Sequence, residues 1–310
     1  MTEPPAIRLD GRVILVTGAG RGLGRAHACE LAARGARVIV ADNGVGMAGE
    51  TPDSGPAATV AAKIASAGGE ALACTIDLAR ENGAQAAVDL ACRSWGRIDG
   101  VLHNASTVPD LTPVDLLSTE ALDRVLDINV KSGLWLARAA WPHFVAQGHG
   151  RLLHTTSAAI FGAAGNASYA AAKGAIVGMV RCLAIDGAPH GIRVNAIAPS
   201  AHTRMTETFL APDYVEWLRR TMPPEKAAGA AALLMSEACP LTGEILGLGG
   251  GRVSRITLSE SEGVILAEPS AEAVRDALPT ILADAALFHP ATLAERSARV
   301  AALPGFRKER

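Results

Sequence analysis

Arg12-Val13-Ile14-Leu15-Val16-Thr17-Gly18-Ala19-Gly20-Arg21-Gly22-Leu23-Gly24 is an apolar run, a turn carrying four glycines, and the opening of an Ala-rich stretch whose helical spacing stops at Gly35. Strand, turn and helix in that order put free backbone N–H groups at a helix N-terminus. The helix dipole favours a phosphate there, and the missing side chains let it approach. A Gly-rich turn alone is also how any tight loop reads. The spacing Gly18, Gly22, Gly24, with Arg21 and Leu23 between, points to a dinucleotide pyrophosphate.

The same alternation continues outward. Arg37–Ala41 is a second apolar strand, and 70–76, 98–103, 151–156 and 192–198 follow with helical stretches between them. Residues 243–247 read as the last strand of the sheet. Apolar strands joined by helical crossovers predict a parallel sheet covered on both faces, a doubly wound, Rossmann-like α/β fold. Residues 1–250 form this domain. Residues 251–310 form an extension packed on it, with a hairpin over 253–266 and a helix over 271–286. Residues 43–56, with four glycines and two prolines, make an unusually long loop bordering the dinucleotide site.

Composition narrows the class. A chain of 310 residues with 49% hydrophobic content and a net charge of −2 can bury a sizeable core, and offers no basic face for nucleic acid or an anionic membrane. Five scattered cysteines form no Cys-x-x-Cys pair and are expected to be reduced. His143, His149 and His202 lack metal-ligand spacing, so no metal is expected. No apolar stretch is seen to reach the ~18 residues that span a bilayer, and a cytoplasmic location is expected.

Asp42 closes the second strand, where a carboxylate accepts hydrogen bonds from ribose hydroxyls and repels a 2′-phosphate. That favours NAD over NADP. Arg21 pulls the other way, since a guanidinium pairs with phosphate. Further along, Tyr169 and Lys173 stand one helical turn apart, so phenol and ammonium share a face. A nearby cation stabilises phenolate and suits the pair to general acid/base work. Tyr-x-x-x-Lys is also a common surface pair. Tyr214 is the one other tyrosine in the chain.

The ordered set of Thr17 to Gly24, Asp77, His103-Asn104-Ala105-Ser106, Asn129, Ser157, Tyr169 and Lys173 resembles the short-chain dehydrogenase/reductase family over roughly residues 10–250. The resemblance implies reversible hydride transfer between a secondary alcohol and a ketone. It makes Tyr169 the acid/base, and Lys173 the residue that lowers the tyrosine's pKa and holds the nicotinamide ribose. Ser157 orients the substrate, and Asn129 supports a relay water. Asp77 contacts the adenine and Asn104 steadies the central strand, while Leu78, Ala105, Pro199 and Thr203 complete the cofactor wall. A homodimer or homotetramer is expected, with contact faces around 135–141 and 167–179. Three departures stand out: Ser106 replaces the usual glycine and narrows the cofactor pocket, Ser157 to Tyr169 is one residue short, and Ser200 follows Pro199 in place of glycine.

Within the family, Gly11 to Gly20, Arg138-Ala139-Ala140-Trp141, Ile197-Ala198-Pro199, Arg204-Met205-Thr206, the long loop and the extension are similar to the (3R)-hydroxyacyl-CoA dehydrogenase part of peroxisomal multifunctional β-oxidation enzymes and to bacterial relatives, some acting on hydroxysteroids. The implied small-molecule substrate is therefore a 3-hydroxyacyl-CoA thioester first and a hydroxysteroid second. Residues 199–224 are expected to cover an apolar substrate, as a mobile lid or as a static helical hairpin. Two rivals stay open: an NADPH-dependent ketoreductase, favoured by Arg21, and a dinucleotide-binding sensor without turnover. A hydrolase triad of Ser157, Asp186 and His190 is disfavoured because no Gly-x-Ser-x-Gly elbow surrounds Ser157.

Overall fold

A computed structural model of the chain describes residues 6–45, 55–108, 111–283 and 287–303. It divides into two units, Met1–Arg255 and Ile256–Arg310. The first unit alternates strands and helices: β1 (Val13–Thr17), α1 (Gly22–Ala33), β2 (Arg37–Ala41), α2 (Gly55–Ser66), β3 (Glu70–Cys74), α3 (Glu81–Trp95), β4 (Gly100–His103), α4 (Thr119–Leu126), α5 (Ser132–Gln147), β5 (Gly150–Thr155), α6 (Ala167–Gly187), β6 (Ile192–Ser200), α7 (Arg204–Phe209), α8 (Pro212–Thr221), α9 (Glu225–Met235), β7 (Ile245–Gly249) and β8 (Arg252–Ile256). The strands lie in the order β3-β2-β1-β4-β5-β6-β7-β8, and every pair from β3 to β7 is parallel. Strand order reverses between β1 and β4, so the crevice beyond their C-terminal ends is where this class of sheet binds ligands.

Residues alternate across the sheet. Ile14 and Val16 of β1 join Val38 and Val40 of β2 in one core with Leu31 of α1, Val60 and Ile64 of α2, and Ala231 and Met235 of α9. By the pleat, Val13 and Leu15 face the opposite layer, and both are fully buried. Both faces being covered is why these strands are apolar throughout.

Two expected boundaries move for identifiable reasons. β3 stops at Cys74, not residue 76, because its one neighbour, β2, ends in register at Ala41. The sheet also does not end at β7. Gly250 and Gly251, at φ 59° and 96°, make a two-residue turn, a connection short enough only for an antiparallel partner, and β8 adds to the edge. The first unit therefore runs past residue 250. In the second unit, β9 (Glu260–Ser261) pairs antiparallel with β10 (Leu287–Phe288), and α10 (Ala271–Ile281) and α11 (Leu293–Ala301) accompany them. The expected helix over 271–286 ends at Ile281; residues 284–286, like 46–54 of the long loop, lie outside the described residues.

The reading that no stretch is apolar and long enough for a bilayer needs correcting. Residues 167–190, α6 and the short turn after it, form one 24-residue helical segment holding an 18-residue stretch of mean hydropathy 1.3. Its apolar character has a local cause. Tyr169, Ala172, Lys173, Ile176, Val177 and Val180 are buried on one face, and the helix packs on β6.

The glycine turn is tightly packed. A Cβ on Gly24 would lie 2.1 Å from the Gly18 carbonyl oxygen, and one on Gly18 would lie 2.9 Å from Ala105 Cα. Gly24→Ala should therefore cost about 1–3 kcal/mol in urea denaturation and abolish dinucleotide binding by calorimetry.

Candidate active site

The crevice at the strand ends is a cavity of about 560 Å³. Gly18, Arg21, Gly22, Leu23, Asp42, Asp77, Leu78, Asn104, Ala105, Ser157, Tyr169, Lys173, Pro199 and Thr203 all line it, so one space gathers nearly every residue singled out in the sequence. Gly24 and Asn129 do not. Gly24 serves the packing just described, and Asn129 sits fully buried behind the wall. Asp186 and His190 are exposed and line no part of the cavity, which removes the hydrolase triad.

At one end the turn is built to receive a dinucleotide. Arg21, the N-cap of α1, makes no side-chain capping bond, and no acidic residue sits in the first turn, so the leading N–H groups have no competing anion. Asp42 is held in place by the backbone. Its Oδ2 accepts from Gly20 N–H at 2.8 Å and its Oδ1 from Gly44 N–H at 2.8 Å. Among the described residues, Arg21 Nη1 reaches the Gly44 carbonyl, at 3.5 Å. Asp77 lies exposed just past β3, its Oδ1 accepting from Ala79 N–H. Thr203 caps α7 in a reciprocal box with Thr206.

Thr17, which opens the glycine motif and had no role assigned from sequence, fastens the strand ends at the switch point. Its hydroxyl accepts from the backbone N–H of Asn104 and of Ala105, both at 3.0 Å, while Asn104 Nδ2 donates to the carbonyls of Thr17 and Gly18. A buried threonine ending the first strand was the available signal.

At the other end lies the polar constellation. The face of α6 that is buried carries both Tyr169, 8% exposed, and Lys173, 1% exposed. Lys173 Nζ donates to the Thr155 carbonyl at 2.8 Å and stands 5.4 Å from the Tyr169 ring centroid. Ser157, at the end of β5, accepts from Ala159 N–H at 3.1 Å, leaving its own proton free. The long helical stretch before β5 widens into a π turn over Asp127–Lys131, which carries Asn129 inward. Ser106, read from sequence as narrowing the cofactor pocket, lines the cavity, and its hydroxyl donates to Asn129 Oδ1 at 2.6 Å.

The electrostatics differ from the expectation of a cation lowering the phenol. Burial pushes Tyr169 above its ordinary value near 10, and the hydroxyls of Ser106 and Ser157 pull it back only in part. The same burial drops Lys173 to about 7, because no carboxylate compensates the ammonium. Behind it, His103 and His154 lie edge to face with centroids 5.6 Å apart, both held below the usual histidine range by burial and by Lys173.

The short chain dehydrogenase family matches residues 12–213. The chain belongs to that family. It is an oxidoreductase acting on CH–OH groups, and the family as a whole binds NAD(P). It is 40% identical over 262 residues to a short-chain type dehydrogenase/reductase of Mycobacterium tuberculosis, covering 84% of this chain and 90% of that one. It is 39% identical over 275 residues to the peroxisomal multifunctional enzyme type 2 of Mus musculus. That match takes in 87% of this chain but 36% of the mouse protein, so this chain spans about a third of that relative. A solved 7α-hydroxysteroid dehydrogenase, complexed with NADH and 7-oxo glycochenodeoxycholic acid, superposes with a TM-score of 0.71 at 32% identity, covering 80% of this chain and 96% of its own.

The buried lysine has a measurable signature. Its folded value of about 7 lies below the ordinary 10.5, so the unfolded chain binds more protons between the two and stability rises with pH across that window. Lys173→Met removes this linkage. In urea denaturation the wild type should gain on Lys173→Met as pH climbs from about 7 towards 10.5; a constant difference would show the lysine titrating normally.

Proposed function

We propose that the chain is an NAD-linked dehydrogenase that interconverts a secondary alcohol and a ketone on a bulky apolar substrate. One observation carries this reading: Ser157, Tyr169 and Lys173 share a single cavity with the Gly-rich turn and Asp42. When bound, the nicotinamide supplies the hydride acceptor for the alcohol or the hydride donor for the ketone. Tyr169 Oη exchanges the proton with the substrate oxygen. Ser157, with its hydroxyl proton free, orients that oxygen. Lys173, fixed by the Thr155 carbonyl, lies close enough to ease loss of the phenol proton and to meet the ribose of the cofactor. The Asn129 side-chain amide is taken up by Ser106, Thr107 and Val125.

The cofactor end favours NAD. Asp42 is locked at the close of β2 by two backbone amides, and a fixed carboxylate facing a 2′-phosphate is a costly mismatch. The second reading, a ketoreductase using NADPH, rests on Arg21 lining the same cavity. A sensor without turnover has no use for a buried tyrosine and lysine beside a serine.

The substrate end is apolar. Val108, Leu111, Met205, Leu210, Tyr214 and Leu218 line it, and Tyr214 stacks on Trp217 with centroids 5.2 Å apart. The stretch 199–224 takes the form of two short helices, α7 and α8, with Val215 and Leu218 buried. The likeness to a peroxisomal multifunctional enzyme puts a 3-hydroxyacyl-CoA first. The hydroxysteroid dehydrogenase neighbour puts a hydroxysteroid second. A homo-oligomer fits the exposed small residues Ala171, Ala175 and Gly178 along α6.

Absorbance of reduced nicotinamide tests this directly, with NAD or NADP supplied alongside a 3-hydroxyacyl-CoA or a hydroxysteroid. Turnover with NAD should fall about 100- to 10,000-fold in Tyr169→Phe, with NAD binding retained by calorimetry. Wild-type silence with every pair despite tight NAD binding would favour the sensor. Asp42→Ala should lower KM for NADP and narrow the NAD preference; a wild type that prefers NADP from the outset would transfer the assignment to the ketoreductase.

A further inference from the structure

Asn166 immediately precedes α6 and forms part of the same cavity wall as Tyr169. Asparagine is among the best residues for closing the start of a helix, because its side-chain oxygen accepts from the free N–H groups there. Here it makes no such bond. Its Oδ1 is shut away from solvent without a hydrogen-bond partner, and among the described residues nothing accepts from Nδ2. Other asparagines of the unit behave differently. Asn104, Asn129 and Asn195 all bond their side-chain amides to backbone groups or to Ser106. Buried polar atoms are nearly always bonded, because leaving one bare costs stability. A polar side chain kept at that cost in a cavity wall, with no bond inside the fold, is accounted for by a ligand.

Its surroundings say which part of a substrate it meets. Asn166 and Tyr169, the N-cap and third residue of α6, are neighbours across the first turn of the helix. Asn166 N–H donates to the Ala163 carbonyl at 3.3 Å. Thr112 N–H donates to the Gly165 carbonyl at 2.8 Å, which ties the segment carrying Leu111 to the residues just before α6. Leu111 and Ala163 line the cavity as well. Asn166 therefore adjoins both the phenol, where the alcohol or ketone oxygen binds, and the apolar wall at Leu111.

The polarity of the contact follows from the amide. With Oδ1 closed off, Nδ2 is the polar atom left to reach the cavity, and an amide nitrogen only donates. An acceptor at this place would compete with Tyr169 for the proton of the alcohol, whereas a donor does not.

We propose that Asn166 is a specificity residue that donates a hydrogen bond to a carbonyl oxygen of the substrate, placed close to the carbon that is oxidised or reduced. The substrate class is then a β-hydroxyacyl or β-oxoacyl compound, in which one methylene separates the two oxygen-bearing carbons. An isolated secondary alcohol on a hydrocarbon frame leaves the amide unused. This role rests on Tyr169 holding the reacting oxygen, as the dehydrogenase reading has it.

Binding of unreactive ketones tests the role. On enzyme saturated with oxidised dinucleotide no hydride is available, so a ketone binds without reacting and calorimetry reads its affinity. The parent should bind methyl 3-oxodecanoate more tightly than 2-nonanone, which has the same tail and ketone and lacks the ester. Asn166→Leu, close in size, should weaken the oxo ester about 3- to 10-fold, the scale of one net hydrogen bond, and leave 2-nonanone unchanged. Asn166→Asp, which at about pH 8 only accepts, should lose at least as much. In urea denaturation without ligand, Asn166→Leu should be no less stable than the parent. A parent without preference for the oxo ester, equal losses on both ketones or retained affinity in Asn166→Asp would each overturn the proposal. So would a destabilised free Asn166→Leu, which would make the amide a structural cap. Failure of the dehydrogenase reading appears separately, as a parent that binds the ketones yet turns over no alcohol with NAD or NADP.

Discussion

The close approach of α1 to the end of β1 is the constraint on which the site depends. Gly24 lies so near the Gly18 carbonyl that no side chain fits, and this contact aims the uncapped N-terminus of α1 along the switch point of the sheet. Thr17 closes the other side of the same corner by binding the strand ends of β1 and β4 together. With that corner fixed, Asp42, Asn104 and Ala105 have only one place to be. Backbone geometry therefore decides where a pyrophosphate can lie before any charged side chain is considered.

A second constraint is electrostatic and opposes the first in character, since it spends stability. Lys173 is buried with a carbonyl for a partner and no carboxylate, and Tyr169 is buried beside it. A low-dielectric setting drives both towards their neutral forms, which brings the lysine close to neutral pH and keeps the phenol protonated. Such a pair is costly as structure, and perturbed groups of this kind gather where proton transfer is done. The polarities of the two serine hydroxyls nearby are set by the backbone N–H of Ala159 and by the locked amide of Asn129.

Much of this was legible in order along the chain. Apolar strands separated by helical stretches specify a covered parallel sheet because a strand buried on both faces has no polar side to show. Ser157, Tyr169 and Lys173 were readable as a set because their chemistry requires those residue types. The edges were less legible. The end of β3 depends on where its neighbour stops, and β8 depends on a Gly-Gly turn that also reads as a loop. The apolar length of α6 was missed because its buried lysine and tyrosine interrupt the apolar pattern in sequence while belonging to the core in space.

By itself, then, the sequence determined the α/β class, the place of the Gly-rich turn between strand and helix, and the placing of Tyr169 and Lys173 on one helix face, because each is set by local periodicity or by spacing within one helix. Only the tertiary structure decided that Gly24 packs against the Gly18 carbonyl, that Thr17 fastens the switch point, and that Asn129 stands behind the wall with its amide bonded to Ser106. These depend on contacts between residues that are distant in the chain, and on the direction of individual hydrogen bonds. A hydroxyl's role is fixed by where its one proton goes, and that is settled only by the groups folded around it.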